Sequence, residues 1–231
     1  VLTIGLQLGR STRIPGADHD GVEKAVDLLR RITEGESVEA PETVVVIGGG
    51  NVAMDVARSM ARLQKQQHGN IQVTLTALED KAHFLADPVE IKESIEEGIE
   101  IIDARGPQAC MIDDDGRLVG LKTWKVKSIF DDQGRFAPSY DENDEQIHRG
   151  DMVIEAIGQM SDVSILGDEI TERLEWNRGR IQVDDDGRTS ENWLWAAGDC
   201  VKGPDVVTAV ATGHRVADSI HSALAQREIN L

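Results

Sequence analysis

The sequence is poor in cysteine, in basic residues and in long apolar runs. Its 231 residues include two cysteines, Cys110 and Cys200, which lie far apart and form neither a C-x-x-C pair nor a cluster with histidines. Neither a disulfide framework nor a zinc site is therefore encoded locally, and we expect a reducing, cytoplasmic setting. No run approaches about 18 apolar residues and no basic-then-apolar leader is present, so we expect neither a membrane span nor a secretory signal.

The charge balance is strongly acidic. Lys and Arg number 24 against 42 Asp and Glu, which gives a formal net charge of −18. Such a chain repels phosphate backbones and anionic lipids, so nucleic acid and membrane surfaces are poor candidate partners. The length suits one large or two small domains. Because the chain opens directly on an apolar stretch at Val1, we expect it to be part of a longer protein.

A βαβ unit is predicted in the first half of the chain. The apolar run Val44–Ile47 ends in Gly48-Gly49-Gly50, a pattern typical of a buried strand that enters a tight turn. Apolar residues at helical spacing follow, and Gly69-Asn70 closes the helix before Ile71–Leu78 resumes alternation. The helical positions are Val52, Val56, Met60 and Leu63.

A second helix, a third strand and an insertion complete this central block. Asp87 is a predicted N-cap with Pro88 at the first helical position, and the helix should end near Gly98, before a strand at Ile99–Ile102. From Cys110 to about Arg149, alternating runs and the turns Asp115-Gly116 and Gln133-Gly134 indicate antiparallel hairpins. Asp151–Ile157 then returns to the sheet. We predict a doubly wound, Rossmann-like α/β fold from about Pro41 to Gly158.

The two flanks are predicted to pair as one discontinuous domain. The first should contain a strand at Val1–Gly5 and a helix capped by Asp20. Its apolar face would comprise Val22, Ala25, Val26, Leu29 and Ile32. The second should contain strands at Ile181–Val183 and Trp193–Ala197 and a final helix. That helix carries one apolar stripe, formed by Val206, Ala209, Val210, Gly213, Val216, Ala217, Ile220 and Leu224.

The glycine-rich turn matches G-x-G-x-x-A between a strand and a helix. Gly48 would permit the tight turn, Gly50 would let a pyrophosphate approach the backbone, and Ala53 would allow close packing of helix and strand. Free N–H groups at the helix start would face the anion. We interpret the motif as a dinucleotide site, with an ordinary glycine turn as the alternative.

Glu79 stands where an acidic residue would accept the ribose 2′-hydroxyl, which favours NADH. A 2′-phosphate near 4 Å from this carboxylate would meet a repulsion of up to about 4 kcal/mol at an effective dielectric of about 20, and less in a wet site. Lys81 and His83 could offset that repulsion. The alternative is that Glu79 is a solvated strand end.

A second cofactor site is predicted near Asp199. Its carboxylate could accept hydrogen bonds from ribityl hydroxyls, and the helix start at Val206 and Val207 could stabilise charge on a reduced isoalloxazine ring. A plain loop followed by a helix start is the alternative.

Several segments together resemble the two-dinucleotide-binding-domain flavoproteins, most of all the small (beta) chain of glutamate synthase and its relatives. The segments are Thr3-Ile4-Gly5, Ile14-Pro15-Gly16-Ala17-Asp18, Val46–Asp55, Ala156-Ile157-Gly158 and Ala196–Asp199. The resemblance implies an NAD(P)-binding domain at residues 19–158, inserted into a partial FAD-binding domain formed by residues 1–18 and 159–231. It further implies hydride transfer from NAD(P)H to FAD, with electrons leaving toward iron–sulfur clusters or a partner subunit.

The motifs and the resemblance together give the expected site residues. The NAD(P)H site would comprise Gly48, Gly49, Gly50, Asn51, Val52, Ala53, Glu79 and Gly158, and the FAD site Gly198, Asp199, Val206 and Val207. No catalytic acid or base and no metal ligand is implied, because hydride transfer needs two rings held within reach of each other.

Two departures from the family pattern matter. Consecutive arginines that grip a 2′-phosphate in related chains are replaced here by Leu78 and Glu79. The N-terminal part of the family, with its cluster cysteines and first flavin-binding glycine motif, is absent, so the chain alone is expected to be inactive and retention of FAD stays open. The alternatives are a noncatalytic nucleotide-sensing module and the electron-transfer part of a dihydropyrimidine dehydrogenase-like assembly. The final electron acceptor and the oligomeric state also stay open.

Overall fold

The structure is a computed structural model that describes residues 1–229, with side chains described through Ala225. The chain divides into two compact units. We call Gly9–Gly158 the central unit, and Val1–Leu8 with the chain from Gln159 onward the flanking unit. The first boundary falls after Leu8, earlier than the expected boundary after residue 18. Within the described residues, no helix combines the length and apolarity that a membrane crossing requires.

The described residues form twelve strands and five α-helices. In chain order, the elements up to the insertion are β1 Leu8–Gly9, β2 Val22–Lys24, α1 Ala25–Thr33, β3 Val44–Ile47, α2 Asn51–His68, β4 Val73–Thr76, α3 Pro88–Glu96 and β5 Glu100–Ile102. The remaining elements are β6 Arg105–Ile112, β7 Leu118–Phe130, β8 Phe136–Arg149, β9 Met152–Glu155, β10 Gln159–Met160, α4 Gly167–Arg173, β11 Trp176–Asn177, β12 Arg180–Ile181 and α5 Val206–Ile229.

A five-stranded parallel sheet with the order β2-β9-β3-β4-β5 organises the central unit, which confirms the α/β fold class. All four side chains of β3 are buried, as expected for a strand covered on both faces. Successive side chains alternate between the faces, so Val44 and Val46 pack with Met54 and Met60 of α2 in one core.

The opposite face of the sheet is covered by an antiparallel sheet, where a doubly wound fold would place helices. Val45, Ile47 and Val153 pack there against Cys110 and Leu121. These covering residues belong to β6 and β7 of the three-stranded sheet β6-β7-β8, which is the predicted insertion. The predicted insertion therefore carries the apolar residues that cover this face of the parallel sheet.

Locally encoded elements of the central unit match their predictions closely. Helix α2 ends at His68, with Gly69 in the left-handed conformation as its C-cap. Asp87 caps α3 as predicted, since its carboxylate accepts the backbone N–H of Val89 at 2.8 Å and Pro88 follows at the first position.

The first flank differs from its prediction. Val22–Lys24 form an edge strand that pairs in parallel with Val153–Glu155, and α1 begins only at Ala25. Asp20 therefore does not cap the helix, whose N-cap residue Lys24 makes no side-chain capping bond. The pairing partner lies far away in the sequence, so helical periodicity alone misassigned these residues. No strand forms at Val1–Gly5, where Leu2 makes a single bridge to Ala196.

The flanking unit has a small core of its own. The buried members are Leu2, Leu174, Ile181, Leu194, Ala196 and Cys200. Helix α5 begins at Val206 as predicted, but its apolar stripe is not a buried face. Val216 is buried, whereas Val206, Val210 and Leu224 are exposed. Periodicity predicted the helix correctly, but burial depends on an element packing against it.

Candidate functional site

Gly48 makes the turn that leads from β3 into α2. Its backbone φ is +144°, and a Cβ atom there would lie 2.4 Å from the carbonyl oxygen of Ala156 and 3.3 Å from the Cβ of Ala53. Its N–H donates to the carbonyl of Thr76 at 2.8 Å. Only glycine fits this position, because a side chain would meet both an unfavourable backbone conformation and the neighbouring strand.

Gly50 leaves the N-terminus of α2 open. It is the N-cap residue, provides no capping side chain, and has extended backbone angles of φ −99° and ψ 175°. A Cβ atom built on Gly50 would meet nothing within 4 Å. Within residues 1–229, the N–H groups of Gly50, Asn51 and Val52 have no hydrogen-bond acceptor. Unpaired donors and the positive end of the helix dipole both suit an anionic group, so the turn fits a diphosphate.

The loop after β4 is fastened to this turn. The N–H of Ala86 donates to the carbonyl of Gly49 at 3.0 Å, and the N–H of Asp87 donates to Oδ1 of Asn51 at 2.7 Å. The side-chain oxygen of Asn51 is therefore engaged within the protein, which the sequence did not indicate.

Glu79 lies directly beside the glycine turn. A Cβ atom on Gly49 would be 2.8 Å from its Oε2 and 2.9 Å from a ring carbon of Phe84. The half-buried Glu79 thus belongs to the wall around the turn. The exposed ring of His83 is bonded through Nδ1 to Oδ1 of Asp80 at 2.7 Å, and this hydrogen bond lowers the pKa of Asp80. Lys81 is exposed.

Glu155 is a buried acid that sequence reasoning missed. It ends β9, and its Oε1 accepts from the N–H and Oγ1 of Thr12 at 2.7 and 2.5 Å. Its Oε2 pairs with Lys24, whose pKa is lowered mainly by burial. A lone carboxylate in the apolar run from Met152 to Ile157 was the available signal, because a buried charge requires a partner.

Gly158, the last residue of the central unit, lies just beyond Glu155 in the chain. It has a φ of +111°, and the nearest atom to a Cβ built there is Cδ of Arg10 at 3.7 Å. Its carbonyl accepts the N–H of Arg10 at 3.0 Å.

In the flanking unit, Asp199 carries an unsatisfied acceptor. Among the described side chains, its Oδ1 is the buried polar atom that has no hydrogen-bond partner. The guanidinium of Arg180 bonds to the backbone carbonyls of Asp199 and Gly203 and not to this oxygen. A buried acceptor without a donor is costly, so this position fits a hydroxyl supplied by a ligand such as the ribityl chain of a flavin.

The start of α5 differs from the open start of α2. Asp205 caps it by accepting the N–H of Thr208 at 2.6 Å, and this bond lowers the pKa of Asp205. The predicted contacts Val206 and Val207 are both about four-fifths exposed. Gly198 donates its N–H to Oγ1 of Thr212 at 2.9 Å, which fixes the turn before Asp199.

The two cysteines are separate, buried thiols. Cys110 packs in the core between the antiparallel and parallel sheets of the central unit, and Cys200 packs in the core of the flanking unit. Burial raises the pKa of both thiols, which disfavours the reactive thiolate form. They are packing residues.

The family model for pyridine nucleotide-disulphide oxidoreductases matches residues 1–226. The chain belongs to this family. FAD and NAD(P)H are the cofactors that the family implies in general. The open N-terminus of α2 is compatible with NAD(P)H, and the unpaired Oδ1 of Asp199 is compatible with FAD.

Curated relatives include subunits of larger enzymes. The NAD-dependent dihydropyrimidine dehydrogenase subunit PreT of Escherichia coli (strain K12) is 31% identical over 97% of this chain and 47% of its own length. The NADP(+)-dependent formate dehydrogenase subunit beta of Moorella thermoacetica is 33% identical, over 97% and 31% respectively. The glutamate synthase [NADPH] small chain of Azospirillum brasilense is 28% identical, over 96% and 48%. The chain spans half or less of the length of these relatives.

Solved structures share the fold at low sequence identity. FprA of Mycobacterium tuberculosis in complex with NADPH superposes with a TM-score of 0.75 at 18% identity, covering 98% of this chain and 64% of that one. Thioredoxin reductase of T. acidophilum gives 0.68 at 20% identity, covering 96% and 64%. At these identities the likeness establishes the fold alone.

Proposed function

We propose that the central unit binds NAD(P)H, with the diphosphate at the N-terminus of α2. The observation that carries the proposal is the uncapped helix start at Gly50, with open space in front of it and free N–H groups around it. Gly48, Gly49 and Ala53 would shape the turn, Asn51 and Val52 would contribute N–H groups, and Gly158 would leave room at the neighbouring strand end.

We further propose that NADH is preferred over NADPH. The carboxylate of Glu79 lies against Gly49, where it can accept hydrogen bonds from the hydroxyls of an adenosine ribose. A 2′-phosphate at the same place would face a like charge. His83 already bonds to Asp80, which weakens its capacity to offset that charge.

The flanking unit would hold part of FAD. Asp199 would accept a ribityl hydroxyl at its unpaired Oδ1, and Gly198, Val206 and Val207 would lie at the same loop and helix start. When bound, FAD supplies the hydride acceptor and passes the electrons onward. In the whole protein, this chain would be the NAD(P)H-dependent electron-input part of a flavoprotein that delivers electrons to another subunit or domain, with any iron–sulfur clusters located there.

Separate titrations of NADH and NADPH into the purified chain test the nucleotide site. We expect saturable binding of both, with the lower Kd for NADH. Saturation by neither nucleotide would refute the proposal. The flavin site is tested by adding FAD and comparing the wild type with Asp199→Asn, which should weaken FAD binding and leave the Kd for NADH unchanged.

A second candidate is the electron-transfer part of a dihydropyrimidine dehydrogenase-like assembly. The 31% identity with PreT favours this second candidate over a noncatalytic sensing module. The two candidate enzymes share the same input chemistry and differ in the electron acceptor. NADH oxidation by the full-length protein with a dihydropyrimidine dehydrogenase subunit or a glutamate synthase large chain as acceptor would separate them.

A further inference from the structure

Asn51 occupies the first position of α2, beside the candidate diphosphate site. Its side-chain oxygen bonds to the backbone N–H of Asp87, 36 residues further along the chain, at 2.7 Å. Asp87 is in turn the N-cap of α3 and accepts from Val89. A single amide side chain therefore joins the starts of α2 and α3.

The segment from Glu79 to Asp87, which we call the acidic loop, is attached to the central unit at both ends. At one end, the carbonyl of Glu79 accepts the N–H of Ala104 at 2.9 Å. At the other end, Ala86 bonds to the carbonyl of Gly49, and Asp87 bonds to Asn51. Lys81, Ala82, His83 and Leu85 in between are exposed, and the N–H of Lys81 donates to Oδ2 of Asp103 at 3.0 Å.

The carboxylate of Glu79 and the ring of Phe84 both lie against Gly49. Phe84 lies two residues before Ala86, so the position of its ring depends on where the acidic loop closes onto the glycine turn. The backbone of Glu79 is held by Ala104, and its carboxylate shares the space beside Gly49 with that ring. One of the two hydrogen bonds at that closure is made between backbone atoms, and the other is made by a replaceable side chain, Asn51.

We propose that Asn51 is a positioning residue that sets nucleotide specificity by holding the acidic loop, and with it Glu79, against the glycine turn. The inference rests on the proposed function. Asn51 acts here through Glu79, which is the group that would meet the ribose 2′ position, and the side-chain oxygen of Asn51 serves the loop rather than the diphosphate.

The test compares Asn51→Ala, Asn51→Asp and the wild type in titrations of the purified chain with NADH and NADPH. Loss of about one net hydrogen bond should raise the Kd for NADH by about 3- to 10-fold in Asn51→Ala. The Kd for NADPH should rise less, so the preference for NADH should fall. Asn51→Asp keeps an acceptor for the Asp87 N–H and should therefore retain the preference for NADH. Its negative charge should raise the Kd for both nucleotides alike.

Hydrogen exchange of the Asp87 amide, measured without nucleotide, tests the contact by itself. We expect faster exchange in Asn51→Ala and wild-type exchange in Asn51→Asp. Asn70→Ala is the matched control, because Asn70 is exposed and follows the opposite end of α2. It should change neither the exchange nor the preference.

Three outcomes would overturn the inference. An unchanged exchange rate in Asn51→Ala would show that the Asn51 side chain does not protect the Asp87 amide. An unchanged ratio of the two Kd values would refute the role of Asn51 in specificity and leave the proposed function intact. Failure of the wild type to bind either nucleotide would overturn both proposals together.

Discussion

Replacing Gly50 with Asp should weaken nucleotide binding without loss of folding stability. The backbone at Gly50 is extended, and a Cβ atom there meets nothing within 4 Å, so the new side chain fits without strain. Asp is also a better N-cap than Gly by a few tenths of a kcal/mol, and its charge gains about 0.3–1 kcal/mol from the helix dipole. Chemical denaturation should therefore give an equal or slightly higher free energy of unfolding.

The same carboxylate should repel the diphosphate. One unit charge about 5 Å away costs about 3 kcal/mol at an effective dielectric of about 20, which corresponds to about a 100-fold rise in the Kd for NADH. Isothermal titration calorimetry of the wild type, Gly50→Asp and Gly50→Asn measures this change in the Kd for NADH. The Asn variant caps the helix without the charge, so the difference between the two variants isolates electrostatic repulsion from crowding.

Opposite changes in stability and affinity are the distinguishing result. An unchanged Kd in Gly50→Asp would refute the placement of the diphosphate, and a lost affinity that merely follows lost stability would refute the reasoning about the open N-cap. Gly48→Ala provides the contrast within the same turn. Its Cβ would clash with the carbonyl of Ala156 at a positive φ, so we expect it to lose about 1–3 kcal/mol of stability.

Three further predictions address other residues. Glu79→Arg should lower the Kd for NADPH relative to NADH, and an unchanged ratio in paired titrations would reduce Glu79 to a structural part of the loop. Glu155→Ala should lower the free energy of unfolding in urea by about 2–3 kcal/mol, because Lys24 and Thr12 lose their partner. The control Glu96→Ala removes an exposed carboxylate and should lower it by less than about 0.5 kcal/mol, so equal losses would contradict the role of the buried carboxylate. Burial and the nearby Arg105 lower the pKa of His148 from 6.5, so the unfolded state binds the proton more readily and the free energy of unfolding should fall as the pH drops below 6.5. His148→Gln should flatten this pH dependence of stability, and an equally steep dependence in the variant would contradict the role of His148.

Features that depend on residues close together in the chain could be predicted from the sequence alone. The glycine turn after Val44–Ile47, the span of α2 and the capping of α3 by Asp87 were predictable, because turn and cap preferences act over a few residues. The hairpins β6–β7 and β7–β8 followed from Asp-Gly and Gln-Gly turns between alternating runs. The candidate positions of Gly50, Glu79 and Asp199 were also available at this level, through motif and resemblance.

Interactions between residues far apart in the chain became visible in the folded structure. Val22–Lys24 became a strand because β9 offers a pairing edge, and an antiparallel sheet, in place of helices, sealed the second face of the parallel sheet. Lys24 lies 131 residues before the carboxylate of Glu155 that it neutralises. Asn51 likewise bonds to an amide 36 residues away. Periodicity and capping rules describe free energies within one element, whereas pairing, burial and charge compensation depend on which elements meet in space.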